Sequence, residues 1–407
     1  MKTAHLVVDL GFGDAGKGHV VDWLVRTTGA RLVVRYNGGA QAGHTVVTDD
    51  GLTHTFAQIG AGSFVLGTRT FLAAPVVVHP TALAVEAMAL VEQGVPNPLG
   101  SVIADPRCRV ITPYHQAVNR LRELARGDGR HGSCGVGVGE TVADSLAVPG
   151  DTITLAALRD RVEARRRLVR VRDRKRAESR ALSGGAAAAP AWQEERAVLD
   201  DDGILDAWLE SACAIVAAIS VLDAGSLPPD LRDGDIVFEG AQGVLLDHAH
   251  GFPPHTTWSD CTLRGADDVL DAWQFDGARR RIGVLRSYQV RHGEGPLPTE
   301  TRALDALEEP HNGPGPWQGR FRRGWLDVEL LRRATAAVGR LDVLALTHLD
   351  ALALDTSWRV ATAHGLTDLP GAPTAREAEV VRLIEEATNV PIAITSHGAR
   401  ASHLSRR

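Results

Sequence analysis

Short apolar runs alternate along the chain with longer segments whose apolar residues recur every three or four positions. "HLVVDL" (residues 5–10) is strand-like, Lys17 to Arg26 is helix-like, and "RLVVRY" (31–36) is strand-like again. This strand–helix–strand order predicts a parallel sheet, because parallel neighbours require a crossover. Further strands are predicted at "TFLAAPVVV" (70–78), "DIVFEG" (235–240), "RIGVLRSYQV" (281–290), "LDVLALTHLD" (341–350) and "VPIAITS" (390–396). Helices are predicted over Thr81 to Gln93, Leu326 to Val338 and Ala375 to Ala387. The expectation is an α/β fold: a large, mostly parallel central sheet flanked by helices.

At 407 residues the pattern suits a single large α/β domain over 1–407, with a helical, basic insert at 151–225 and a flexible segment at 181–195 around "SGGAAAAPAW". "RVEARRRLVRVRDRKR" (161–176) reads as a solvated helix face rather than a nucleic-acid patch. A net charge of −6 argues in the same direction: no nucleic-acid partner is expected. No apolar run approaches the roughly 20 residues that span a bilayer, so no membrane partner is expected. The start at Met1-Lys2 shows no signal-peptide pattern, and the expected location is cytoplasmic. Cys108, Cys134, Cys213 and Cys261 form no C-x-x-C pair, which speaks for reduced thiols rather than zinc or disulfides. Composition adds one clue. Lysine occurs only at Lys2, Lys17 and Lys175, and one of the three stands inside a glycine loop, where a compact ammonium suits a phosphate.

That loop, in "VVDLGFGDAGKGHVVDWL" (7–24), fits two templates incompletely. Gly11, Gly13 and Gly16 match the dinucleotide pattern G-x-G-x-x-G, yet the second strand ends on Arg35 where that fold places an acid. Gly11, Gly16 and Lys17 match the triphosphatase loop, yet Gly18 replaces the Ser or Thr that binds magnesium. Neither template explains Asp14, a carboxylate among backbone N–H groups that favour anions; it would repel phosphate unless it carried a metal or took a proton. A second glycine turn, "NGGAQAGHT" (37–45), presents His44 at the carboxyl edge of the sheet, where α/β sites form.

"GFGDAGKGHVVDWL" with "RYNGGAQAGHT" resembles the N-terminal signature of the adenylosuccinate synthetase family. The likeness continues, in family order, through "FEGAQGVLLDHAHGFPPHTTWS", "VRHGEGPLPTE", "GRFRRGWLD", "THLDAL" and "ITSHGAR". The resemblance implies a ligase that joins L-aspartate to C6 of a 6-oxopurine nucleotide through a 6-phosphoryl intermediate, with GTP and Mg2+. It implies catalytic roles for Asp14 as base at N1, His44 as donor to the moving phosphoryl oxygens and Lys17 as counter-charge, with Asp14 and the Gly43 backbone holding the metal. Gly13, Gly16, Gly18, Gly43, Thr45, Asp350, Ser396 and Gly398 would bind the triphosphate. Gln41, Ser133, Cys134, Gln242, Thr257 and Arg320 would bind the acceptor, and Arg322 the aspartate carboxylates, on a mobile, ligand-closing arginine loop. The family's habit also implies a homodimer.

Departures from the family pattern keep alternatives open. The block "TTGRG" appears as "GSCGVGVGET" with Cys134 at a phosphate-binding Thr, and Val148 stands near the Arg that reaches across the family's dimer. Gln41 replaces Asn, Ala15 replaces Glu, His348 replaces Lys, and the glycine-rich segment is shortened to "TLRGADDV". "PHTTW" and "RHGEGP" are similar in wording to phage-type enzymes that aminate deoxyguanylate. The leading expectation is therefore an inosine-monophosphate-like acceptor with GTP. The second is the same chemistry on deoxyguanylate or a specialised nucleoside analogue, with ATP as a further donor. The third is a non-catalytic nucleotide-binding regulator.

Overall fold

Strand β1 (Thr3–Asp9) leads through the glycine loop into helix α1 (Lys17–Thr28), and strand β2 (Leu32–Arg35) returns beneath it. The helix starts after Gly16 (φ 86°) and stops at Gly29 (φ 70°), left-handed positions that glycine adopts without a Cβ clash. The computed structural model describes all residues except 1, 183–188, 224, 226–230, 232, 314 and 316.

The strand Ile236–Glu239 lies between β1 and β2, and on the far side of β1 follow Ala278–Arg286, Val343–Thr347 and Ile392–Ser396. Beyond β2 come Arg69–Leu72, Val102–Ala104 and Ser220–Val221, and the ten-stranded sheet ends at its other edge in Leu404–Arg406. Every described neighbour pair in this sheet is parallel except the last, where Leu404–Arg406 runs antiparallel to Ile392–Ser396. Such strands must be apolar on both faces. In β1, Val7 packs into one core layer while Leu6 and Val8 pack into the other. The expected α/β class and its mostly parallel sheet are what the chain forms.

Three details differ from the sequence reading. "RIGVLRSYQV" is two strands, because Ser287 turns the chain out of the central sheet into a four-stranded one formed by Tyr288–His292, Phe321–Asp327, Arg359–Thr362 and Gly365–Asp368. "TFLAAPVVV" likewise splits at Ala74-Pro75 into Arg69–Leu72 and Val77–Val78. "GRFRRGWLD", expected as a mobile loop, places Arg322 within the strand Phe321–Asp327, paired antiparallel with Tyr288–His292.

The basic stretch forms the helix Arg161–Arg180, and the solvated face expected there is only part of it. Ala164, Leu168, Val171, Lys175 and Ser179 form a buried stripe at helical spacing. Around it Arg170 meets Asp151 at 2.6 Å, Arg174 meets Asp144 at 2.7 Å, and Lys175 meets Asp144 at 2.9 Å. The helix is internally neutralised rather than presented as a cationic strip. Of the segment 181–195 expected as flexible, 183–188 lie outside the described residues, and from Pro190 the chain is the helix Pro190–Asp200. Among the described residues no helix is long and apolar enough to cross a membrane.

Candidate active site

Parallel strands point their carboxyl ends to one edge, and the two glycine turns emerge there side by side. Asp9, the last residue of β1, organises the first. Its carboxylate accepts from the backbone N–H of Gly11 (2.8 Å) and Ala15 (3.0 Å) and from Lys17 Nζ (2.8 Å). Both ends of the Lys17–Asp9 pair are buried, so the ammonium is held at the loop by a charge-assisted bond. Asp14 takes φ 56°, the left-handed region unusual for a residue with a Cβ. Its Oδ2 lies 3.2 Å from His292 Nε2. Burial alone would raise the Asp14 pKa, but the hydrogen bond and charge of His292, with Arg286 and Lys17, outweigh it and hold the carboxyl below its ordinary range.

The second turn ends at His44, the first residue of strand β3 (His44–Val47). Its Nδ1 bonds Glu239 Oε1 at 2.6 Å, and Glu239 Oε2 also accepts from Ala61 N–H at 3.0 Å. Arg35 Nη1 approaches the same carboxylate at 3.9 Å. The arginine that stands in the dinucleotide acid position is thus buried and spent on the core. Burial, with the charge of Arg35, lowers the His44 pKa to about 4 despite Glu239. With Nδ1 committed to Glu239, the ring is fixed and Nε2 is the atom left for the cavity.

A cavity of about 820 Å³ opens over these turns. Gly13, Asp14, Lys17, Gln41, Gly43, His44, Thr45, Ser133, Cys134, Gln242 and Thr257 all line it, although they come from five separate stretches of chain. Both polar atoms of the Gln41 amide, and Gln242 Oε1, are buried without a hydrogen-bond partner in the chain. Unpaired buried amides beside a cavity are groups free to bind a ligand. Cys134 sits on the wall as a neutral thiol, its pKa raised by burial.

Other expected residues lie outside that wall. Gly16 packs under it, where an added Cβ would come 3.4 Å from Thr347, and Gly18 packs against His44. Asp350 is exposed and Ser396 is buried, donating to the Gly398 carbonyl at 2.9 Å; all three follow or end adjacent strands at the same carboxyl edge. Arg320 is exposed, 4.0 Å from Glu300. Arg322 is largely buried, bound to Glu300 at 2.7 Å and to the Gly295 carbonyl at 2.6 Å.

The sequence reading missed Asp9, Glu239 and His292, which hold Lys17, His44 and Asp14. A strand-terminal acid is a weak signal on its own, and only the fold brings Glu239, 195 positions away, to His44. The wall also carries Arg122, Arg126, Arg291, Glu123 and Glu140. For magnesium the residues fit. Among the described residues there is no cluster of three or more His, Cys, Asp or Glu placed to hold a metal. The Asp14 carboxylate and the Gly43 backbone both line the cavity, and such a sparse, hard oxygen set suits an ion completed by substrate phosphates and water.

A family model described as adenylosuccinate synthetase matches residues 6–371. An adenylosuccinate synthetase of Sorangium cellulosum is 33% identical, covering 100% of this chain and 99% of that one. That of Alkalilimnicola ehrlichii is 34% identical over 85% of this chain and 77% of its own. Among solved structures, a fully ligated adenylosuccinate synthetase from Plasmodium falciparum superposes with a TM-score of 0.78 at 19% identity, covering 99% of each chain. Cyanophage S-2L succinoaminodeoxyadenylate synthetase, bound to dGMP and to dATP as an energy donor, superposes with a TM-score of 0.67 at 19% identity, covering 100% of this chain and 95% of that one. At that identity the two structures speak for the fold.

Proposed function

The chain belongs to the adenylosuccinate synthetase family, a family of carbon–nitrogen ligases, and on that premise we propose that it condenses L-aspartate with a 6-oxopurine nucleoside monophosphate, driven by a nucleoside triphosphate. The observation that carries the reading is the convergence of Asp14, Lys17 and His44 on one cavity that Gln242 and Thr257 also line.

The 6-oxygen of such a purine is a poor leaving group, so activation by phosphorylation precedes attack by the amine. Asp14, kept ionised, takes the proton from N1 as O6 attacks the γ-phosphorus. Lys17 neutralises charge on the transferred group, and His44, oriented by Glu239, donates from Nε2 to the oxygens that gain charge. The imidazole is neutral in the free protein, with its pKa near 4. A triphosphate seated beside it supplies the negative charge that raises its proton affinity. The amine of aspartate then displaces phosphate from C6, forming the C–N bond. Magnesium held by Asp14 and the Gly43 carbonyl would supply charge neutralisation to the triphosphate.

Inosine monophosphate with GTP is the leading pair, supported by the family. A second reading, deoxyguanylate with ATP, is supported by the ligands of the cyanophage fold neighbour and by Cys134 and Val148 at the acceptor-phosphate positions. The test of the chemistry is Asp14→Asn. It should lower phosphoryl transfer by on the order of 10²–10⁴ while leaving triphosphate binding intact, and a fully active variant would contradict the proposed base.

A further inference from the structure

Asp14 is gripped at both ends. Its side chain meets His292 Nε2 at 3.2 Å, and its main-chain carbonyl accepts from Arg286 Nε. Arg286 reaches out of the central sheet, largely buried, and its other face is paired with Glu309. Glu309 also accepts from the Tyr288 hydroxyl and, at 3.0 Å, from Asn312 Nδ2. The segment that carries Glu309 contributes His311, Asn312 and Gly313 to the cavity wall. The wall segment and the glycine loop are thereby tied together, with the Asp14 carbonyl at one attachment.

A non-glycine residue at φ 56° is strained and persists only where its surroundings over-determine it. Here three ionisable side chains, His292, Arg286 and Glu309, do so, two of them acting on a single loop residue directly and the third through Arg286. None of the three is needed to shape α1, whose start is set by Gly16 and whose loop is held by Asp9. The grip is aimed at the carboxylate.

We propose that His292 and Glu309 are positioning residues for Asp14, His292 fixing Oδ2 so that Oδ1 is left to face the acceptor, and Glu309 fixing the backbone through Arg286. The inference rests on the reaction proposed above. A misplacement of the reacting group by about 1 Å can cost on the order of 10²-fold in rate. The expected signature is therefore a loss in kcat without a loss in substrate affinity.

His292→Phe removes the N–H donor and keeps a ring against Phe321, whose centroid lies 4.8 Å away. His292→Gln keeps a donor, and Glu309→Gln keeps the shape without the charge. In aspartate-dependent phosphate release, His292→Phe and Glu309→Gln should lower kcat about ten- to a hundredfold with nucleotide KM unchanged, and His292→Gln should recover most of the loss. Unchanged kcat, equal losses in Phe and Gln, or a rise in KM alone would overturn the proposal. A second readout does not depend on turnover. The ¹⁵N resonance of His292 Nε2 at fixed pH should differ between the wild-type protein and Asp14→Asn, and an identical resonance overturns the pairing. If the wild-type protein releases no phosphate with any acceptor, the reaction fails on its own, and the resonance still decides the pairing.

Discussion

Position 18 is where this glycine loop parts from the triphosphatase template, and the reason is steric. A Cβ added to Gly18 would lie 2.9 Å from the carbonyl carbon and Cβ of His44, so a Ser or Thr there would push the second glycine turn away. Gly18→Ser should therefore cost about 1–3 kcal/mol in chemical denaturation and lower activity, rather than restoring a metal-binding hydroxyl; a stable, fully active variant would contradict this account. The same closeness leaves no room for an oxygen ligand at position 18, which is consistent with the proposal that Asp14 serves magnesium. At His44 the buried Glu239 fixes which nitrogen faces the cavity. His44→Asn should cost on the order of 10²–10³ in kcat, and Glu239→Gln should lower kcat in the same direction by disorienting the ring. If steady-state rates for Glu239→Gln match the wild type, the orienting role is wrong.

Among the elements, the Arg161–Arg180 helix shows how a surface-looking stretch can be structural. Asp144 is buried and receives Lys175 at 2.9 Å, Arg174 at 2.7 Å and His115 at 3.3 Å, which together hold its carboxyl far below the ordinary range against the opposing effect of burial. Asp144→Ala removes the acceptor that Lys175 and Arg174 share, leaving them Glu178 at 3.0 Å and Asp151 at 2.9 Å, and should destabilise the chain by about 1–3 kcal/mol, read from urea unfolding; a loss below about 1 kcal/mol, the ceiling for an exposed pair, would mean that the network is solvated. Elements with strong periodicity were legible from sequence: β1, α1 and β2 fall within two residues of the reading. Those lost were set by tertiary pairing. Phe321–Asp327 is polar and arginine-rich at its start, and it becomes a strand only because Tyr288–His292 offers it an antiparallel edge. In the candidate site Asp14, Lys17 and His44 were legible because they sit on glycine turns with their own chemistry, whereas Gln41, Ser133, Cys134, Gln242 and Thr257 were named only through the family resemblance. Their supports, Asp9, Glu239 and His292, were not, because one buried acid or imidazole carries no local pattern.

On the scale of the molecule, folding buries histidines in their neutral form. Burial lowers the His19 pKa from 6.5 to about 4, and burial with the charge of Arg286 lowers that of His348 from 6.5 to about 3. Between the unfolded value and these folded values the unfolded chain binds more protons, so stability is full above about pH 6.5 and is lost as pH falls toward 4. Thermal midpoints should decline across that window, and His19→Gln should flatten the decline; a flat profile from pH 7 to 4 would contradict the buried neutral state. The central claim concerns the reaction itself. Its most direct test is phosphate release with Mg2+, L-aspartate and GTP or ATP, against a panel of inosine, guanosine and deoxyguanosine monophosphates, with product masses recorded. The account predicts release that requires both aspartate and one of these 6-oxopurine nucleotides, with a succinyl-amino product, and the acceptor used decides between the two readings of the pocket. Release indifferent to aspartate, or tight triphosphate binding with no release on any acceptor, would contradict it, the latter pointing to a nucleotide-binding regulator.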